Sequence, residues 1–468
     1  MKFIVFLSFT SLSLFCFYSK HIYCIIEICE TLDFENKICI MKNIIKSLLH
    51  STIGKAICIA AVLVLIASCQ SETSKTENSG SGRFLKVQGH DIVTPDGDKF
   101  FIQGINLGNW LNPEGYMFYF SNVNSYRTIN DAFCEMVGPD FTKWFWSEFK
   151  KNYITKEDIA YIRQTGMNSI RIPFHYKLFT DEDYMGLSSN QNGFEIMDTL
   201  LDWCRQENLY VIFDMHDAPG GQTGDNIDDS YGYPWLFESE ESQALCCDIW
   251  RSIAERYAND TIVLGYDMLN EPIAHYFKDD YPHLNEALEP FFKRCVAAIR
   301  EVDKNHIVLL AGAQWNSNFT MFTDWEFDDN MMYTCHRYWC DTLQNNIQDY
   351  VDFRDKVNLP LYMGETGENT DEWVAAWTRL MNRNNIGWHY WPYKKMAKRA
   401  CMLIIPEPEN WDLVVEYTKQ DRSTFAKIRE ARPNQEVVRK AMTDLLENMK
   451  FANCQINAGY TEALGMKP

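Results

Sequence analysis

Two carboxylates, far apart in the chain but placed alike, are the residues best suited to chemistry. Glu271 ends the apolar run "VLGYDMLNE" and Glu365 lies near the end of "LPLYMGET". They are 94 positions apart, so only the fold can bring them together. A pair of carboxyl groups, one protonated and one ionised, can break an acetal. The acid protonates the leaving oxygen, and its partner either attacks the carbon or activates water. About 5 to 5.5 Å between them suits direct attack with retention of configuration, whereas about 6.5 to 9.5 Å leaves room for water and gives inversion. The neighbours suggest the roles. Arg171, His336 and Tyr338 are expected to donate to Glu365 and keep it ionised as the nucleophile. Glu271, beside a proline and an aromatic-rich mouth, is expected to stay protonated as the acid.

The elements that must position these groups follow from hydrophobic period. Eight short apolar runs read as strands: 100–106, 168–174, 209–217, 263–271, 306–313, 331–339, 359–366 and 386–391. Segments of helical period separate them. "TKEDIAYIRQTG" carries Thr155 and Asp158 at capping-box spacing and Gly166 as a stop. "NEALEPFFKRCVAAIREV" puts Leu288, Phe291, Phe292, Cys295, Ile299 and Val302 on one stripe. Continuous apolar strands alternating with amphipathic helices predict a parallel sheet covered by helices, and eight such units predict an α/β fold of the closed (β/α)8 TIM barrel type. A doubly wound open sheet is the rival, and no GxGxxG follows the first strand to favour it. A short hairpin around Pro95, Asp96 and Gly97 precedes the barrel. Beyond Lys394 the alternation fades into flanking helices, so residues 84–468 read as one catalytic domain.

In a barrel the C-terminal strand ends face one mouth. The polar residues there are Asn106, Asn109, Arg171, His216, Asp217, Asn270, Glu271, Gln314, His336, Tyr338 and Glu365, with Trp388 and Trp391 closing the last run. An aldolase would need a lysine at a tip for a Schiff base. None of the eight offers one, and Lys394 and Lys395 lie just past the last.

Composition narrows the partners. With 44 Lys and Arg against 64 Asp and Glu, the chain carries a net charge of −20, which repels nucleic acid. Its 14 Trp and 24 Tyr offer flat faces with polar tips, suited to sugar rings as well as to a core. Of 15 cysteines, six fall at or before residue 69 and nine in the domain, with no zinc-finger spacing. Most of the nine read as buried free thiols, and a Cys335 to Cys340 disulfide has no support from the spacing. Asp225, Asp228 and Asp229 lack the twelve-residue calcium pattern with its terminal Glu and are expected on a solvated loop. No metal and no cofactor is implied, and a monomer is expected.

Residues 1–69 read as a leader. Lys42, Lys46 and Lys55 precede an apolar stretch from Ile57 to Ile66 that ends in "IASCQ", which resembles a bacterial lipobox. That resemblance implies a start at Met41, a lipidated Cys69, and a place in the bacterial cell envelope, at the outer-membrane surface or in the periplasm. Residues 70–83, polar and rich in Gly and Ser, read as a flexible tether.

"RIPF", "DMHDAPGGQ", "LNEP", "HRYW", "GETG" and "GWHYWPYKK" occur in this order. The set resembles glycoside hydrolase family 5, from Phe84 to about Lys395, and implies a retaining β-glycosidase. By that resemblance Glu271 is the acid/base, Glu365 the nucleophile, and Asn270 the holder of a sugar 2-hydroxyl. Arg171, His216, His336 and Tyr338 frame the sugar, and Trp391 or Trp388 stacks on it. "APGGQ" with the acidic insertion is similar to the exo-β-1,3-glucanase and β-glucosidase branch, although "GETG" lacks the bulky residue expected there. A β-glucan is the expected substrate. An endo-acting cellulase or mannanase, and a catalytically inactive glycan-binding lipoprotein, are the alternatives.

Overall fold

The computed structural model describes residues 83–468 apart from 226, 397 and 398; the leader and Cys69 lie outside the described residues. The chain begins with a three-stranded antiparallel sheet, β1 (Lys86–Gln88), β2 (Asp91–Val93) and β3 (Lys99–Phe100), in the order β1-β2-β3. Ile92 pairs with Phe100 across the predicted turn, where Gly97 takes φ 86°. Sequence period predicts one strand over 100–106. The chain instead leaves the small sheet at Phe100 and enters the barrel at β4 (Gln103–Asn106).

Eight parallel strands close the barrel: β4, β5 (Ser169–His175), β6 (Tyr210–Asp217), β7 (Val263–Asp267), β8 (Ile307–Ala311), β9 (Met331–Arg337), β10 (Leu361–Thr366) and β11 (Trp388–Tyr390). Each is one of the expected runs, and β11 pairs back with β4 through Trp388 and Gln103. Side chains of the central strands are almost all buried, as expected of parallel strands covered on both faces. Each large apolar side chain so buried contributes about 1.5–3 kcal/mol.

The covering helices are α1 (Tyr126–Val137), α2 (Pro139–Tyr153), α3 (Lys156–Gln164), α4 (Asn190–Glu207), α5 (Glu240–Tyr257), α6 (Tyr281–Val302), α7 (Gln348–Val357) and α8 (Asp371–Arg383). The predicted capping box starts α3, where Asp158 Oδ2 accepts from Thr155 N at 2.8 Å. On α6, Leu288, Phe291, Phe292, Cys295 and Ile299 are buried as predicted. After the barrel come α9 (Trp411–Lys419), α10 (Phe425–Ala431), α11 (Gln435–Asn448) and α12 (Ala458–Ala463). A second small sheet of β12 (Lys394–Lys395), β13 (Leu403–Ile404) and β14 (Gln455–Ile456) ties this region together.

Two apolar clusters organise the interior. The larger lies mainly between strands and helices. The smaller packs Leu85, Ile92 and Phe100 against Ile102, Ile212, Leu264, Ile307 and Leu309, so the N-terminal sheet plugs the end of the barrel where the strands begin. The opposite end is left for chemistry.

Candidate active site

The barrel mouth holds a cavity of about 550 Å³, lined among others by Glu114, His216, Glu271, His336, Tyr338, Glu365 and Trp391. Both predicted carboxylates therefore reach it. Glu365 is in β10, the seventh barrel strand. Glu271 follows β7, the fourth, after a short irregular stretch that ends with φ 46° at Glu271 itself. Its backbone is pinned on both sides: its N–H donates to Asn316 Oδ1 at 3.1 Å, and its carbonyl accepts from Thr223 Oγ1 at 2.8 Å.

One oxygen of each carboxylate and one nitrogen of His336 lie within 4.8 Å of one another. His336 Nδ1 stands 2.8 Å from Glu271 Oε1 and 3.8 Å from Glu365 Oε2. The expected donation from His336 to Glu365 is therefore corrected: its short contact is with Glu271, and Glu365 lies beyond hydrogen-bond range of it.

Glu365 has its own donors. Arg171 Nη1 donates to Oε1 at 2.6 Å and the Tyr338 hydroxyl donates to Oε2 at 3.0 Å. Arg171 is fully buried in β5, where its Nε donates to Asp267 at 2.8 Å and its Nη2 faces Asp214 at 3.0 Å. Burial opposes its charge, but Asp214, Asp267 and Glu365 outweigh that and raise its pKa well above the ordinary value. One guanidinium cannot keep three carboxylates ionised in a dry site. Burial accordingly pushes Asp214 and Asp267 up to about 7 each.

Glu271 lacks a cation at hydrogen-bond range. Burial raises its pKa to about 7, against weaker opposing pulls from His216 and Arg171. Burial also lowers His216 to about 4 and His336 to about 3, so both rings are neutral near pH 7. His216 Nδ1 lies 2.8 Å from Asp214 Oδ2, and its Nε2 lies 3.4 Å from Asn270 Nδ2. A ring that donates at Nδ1 and accepts at Nε2 satisfies both contacts. Asn270 Oδ1 in turn accepts from Arg171 Nη2 at 3.0 Å. Arg171 and Asn270 are therefore buried beneath the cavity and hold the groups that line it.

The two tryptophans separate cleanly. Trp391 lines the cavity, stacks on His216 with centroids 5.3 Å apart and planes at 6°, and donates from Nε1 to the Tyr116 hydroxyl at 2.7 Å. A Cβ added at Gly108 would stand 2.6 Å from its indole, so only glycine allows the ring this place. Trp388 is no sugar platform. It is fully buried, donates to Asn382 Oδ1 at 3.0 Å and packs edge-on against Tyr390. Side chains alternate along a strand, and Trp388 belongs to the outer face that meets α8.

Other expected tip residues have structural duties. Asn106 Nδ2 bridges the carbonyls of Gly364 and Tyr390, and Asn109 Oδ1 accepts from Glu114 N. Asp217 points away from the cavity to His175, at 3.2 Å, and to the Asp229 N–H. Gln314 lines the mouth. The acidic insertion is not a solvated loop throughout. Asp228 and Asp229 are largely buried: Asp228 Oδ2 accepts from the N–H groups of Thr223 and Gly224, and Asp229 Oδ1 from that of Arg127. These carboxylates satisfy turn donors that no ladder can reach.

Several cavity residues escaped sequence reasoning. Glu114 is 6% exposed, lies 3.8 Å from His216 Nε2, and is pushed well above the carboxylate range by burial and by Glu365. Tyr116, His275, Tyr276, Trp315, Trp339 and Glu368 complete the walls. Most sit in turns and loops, where no hydrophobic period marks them; Trp339 is the exception, since it closes the expected run 331–339. Lys394 faces away, paired with Asp158 at 2.6 Å, while Lys395 pairs with Glu368.

A closed parallel barrel that presents two carboxyl groups at one mouth, one raised by burial to about 7 and the other held by an arginine and a tyrosine, among aromatic walls, defines a glycosidase. A sequence model of cellulase, glycosyl hydrolase family 5, matches residues 131–396, and the chain belongs to that family. A β-xylosidase of Phanerodontia chrysosporium is 32% identical over 260 residues, 54% of this chain and 52% of the relative. The chain thus spans about half of that protein's length. Endoglucanase C of Acetivibrio thermocellus is 25% identical over 63% of this chain and 92% of its own. A probable glucan 1,3-β-glucosidase A of Aspergillus clavatus is 26% identical over 63% and 69%. Among solved structures, an endogalactoceramidase superposes with a TM-score of 0.51 at 17% identity, over 67% of this chain and 75% of that one, which supports the barrel fold.

Proposed function

We propose that this chain is a retaining β-glycosidase that hydrolyses β-glucans by double displacement. The observation that carries the reading is the close approach of Glu271 and Glu365, with oxygens within 4.8 Å. That gap suits direct attack and leaves too little room for the water that inversion needs. In the first step Glu365 attacks the anomeric carbon while Glu271 gives its proton to the glycosidic oxygen, and the aglycone leaves. In the second, Glu271, now a carboxylate, takes a proton from water, whose oxygen displaces Glu365 and frees the sugar. Arg171 and Tyr338 hold the nucleophile in place through their hydrogen bonds to its two oxygens. The relatives named endoglucanase and probable glucan 1,3-β-glucosidase support a glucan substrate.

The stereochemical test is direct. Proton NMR of an aryl β-glucoside digest should give β-anomer first, and initial α-anomer would refute retention. Incubation with laminarin, mixed-linkage glucan, cellulose and mannan reads the linkage: glucose alone marks exo action and mixed oligomers mark endo action. We further propose a lipid tether at Cys69 in the bacterial envelope. Cys69→Ala should move the enzyme from the membrane to the soluble fraction, and unchanged partitioning would contradict the tether.

A further inference from the structure

The nine cysteines of the described residues carry no disulfide. Two of them stand apart from the other seven, for Sγ of Cys247 on α5 lies 2.7 Å from Sγ of Cys295 on α6. That is nearer than two unbonded sulfur atoms pack and approaches the ~2.05 Å of a covalent S–S bond. The helices themselves lie against each other, so the approach needs no backbone movement to begin.

Cys246 also borders Cys295, but its Sγ lies 3.4 Å from Met215 Sδ on β6, whereas the Cys247 sulfur makes the 2.7 Å approach. Cys247 is 5% exposed and Cys295 0%. We propose that Cys247 and Cys295 form a disulfide that staples α5 to α6 behind β7, the strand that delivers Asn270 and Glu271.

The bond forms by exchange with a disulfide oxidant, of which oxidised glutathione is the simplest. The Cys247 thiolate attacks one oxidant sulfur and expels a first thiol. The Cys295 thiolate then attacks the Cys247 sulfur and expels a second. The two protein protons leave with the two released thiols, and the oxidant is reduced as the protein is oxidised. The order fits the surroundings: the hydrogen bond with Cys295 pulls the Cys247 thiol below its ordinary pKa, while burial pushes Cys295 well above. Joining positions 48 apart constrains the unfolded chain most and the native site least.

The full chain, equilibrated with oxidised glutathione, should be denatured in iodoacetamide without reductant and digested with trypsin. The peptide of residues 206–251 should then appear linked to that of residues 295–300. The link should persist in Cys246→Ser and vanish in Cys247→Ser and Cys295→Ser. Oxidation should raise Tm by roughly 5 °C or more in the wild type and Cys246→Ser and by nothing in the other two. Full alkylation of both wild-type peptides after oxidation would overturn the proposal, even if a variant fails to fold. So would a link that survives Cys247→Ser, or a link without a rise in Tm.

Discussion

Arg171 Nη1 lies 2.6 Å from Glu365 Oε1 with no solvent access to the guanidinium. The same side chain binds Asp267 and faces Asp214, so it neutralises the barrel interior and aims the nucleophile at once. Removing it should do two kinds of damage. Arg171→Met strands buried carboxylates, and a loss of about 3–5 kcal/mol in urea unfolding is expected. Arg171→Lys should recover little, because an ammonium cannot reproduce the fork that meets Asp267, Asn270 and Glu365 together. An unchanged unfolding midpoint in Arg171→Met would show that the network tolerates its loss.

Glu365→Gly should abolish turnover of β-glucosides and leave a gap on the face that the carboxylate occupied. Azide added to this variant should restore release of an activated aglycone and yield the α-glycosyl azide, identified by NMR. A β-azide, or rescue in Glu271→Gly alone, would reverse the two roles.

The raised pKa of Glu271 sets the alkaline limb of activity. The acid works protonated and loses its proton as pH rises through about 7, so kcat/KM should fall about tenfold per pH unit beyond that point. His216 and His336, depressed to about 4 and 3, are already neutral there and add no limb near their ordinary value. Glu271→Gln should remove this limb and lower hydrolysis of glycosides with poor leaving groups by about 10²–10⁴-fold. A limb that persists in this variant at full height would belong to another group.

Trp391 and Trp388 should respond differently to the same change. Trp391→Ala removes a cavity wall worth about 1.5–3 kcal/mol of apolar contact, so kcat/KM should fall about 10- to 150-fold with a modest change in Tm. Trp388→Ala empties a core site and should cost about 3–5 kcal/mol of stability, with kcat/KM of the folded fraction near wild type. Equal kinetic losses in both would contradict the separation of their faces.

The barrel was legible in the sequence because buried parallel strands are continuous apolar runs, and Glu271 and Glu365 were legible because each closes one. The choice between Trp388 and Trp391 was not. The strand covers only Trp388–Tyr390, and a run that short carries too few alternations to fix which face is inward. The contact of His336 with Glu271 depends on strand tilt and stagger, which no single run encodes. Glu114 sits in the loop after β4, fixed by the hydrogen bond from its N–H to Asn109 Oδ1, a contact within a loop of no period. Asp228 and Asp229 looked solvated because acid clusters usually are; the turn N–H groups they bind become visible only once the loop is folded.

Phe84 packs edge-on against His306, which lies just before β8, and Leu85 joins the plug below the barrel. The polypeptide therefore enters the domain at the pole opposite the catalytic opening. The small sheet stops up that far pole, and none of its strands competes with a glycan for the catalytic opening.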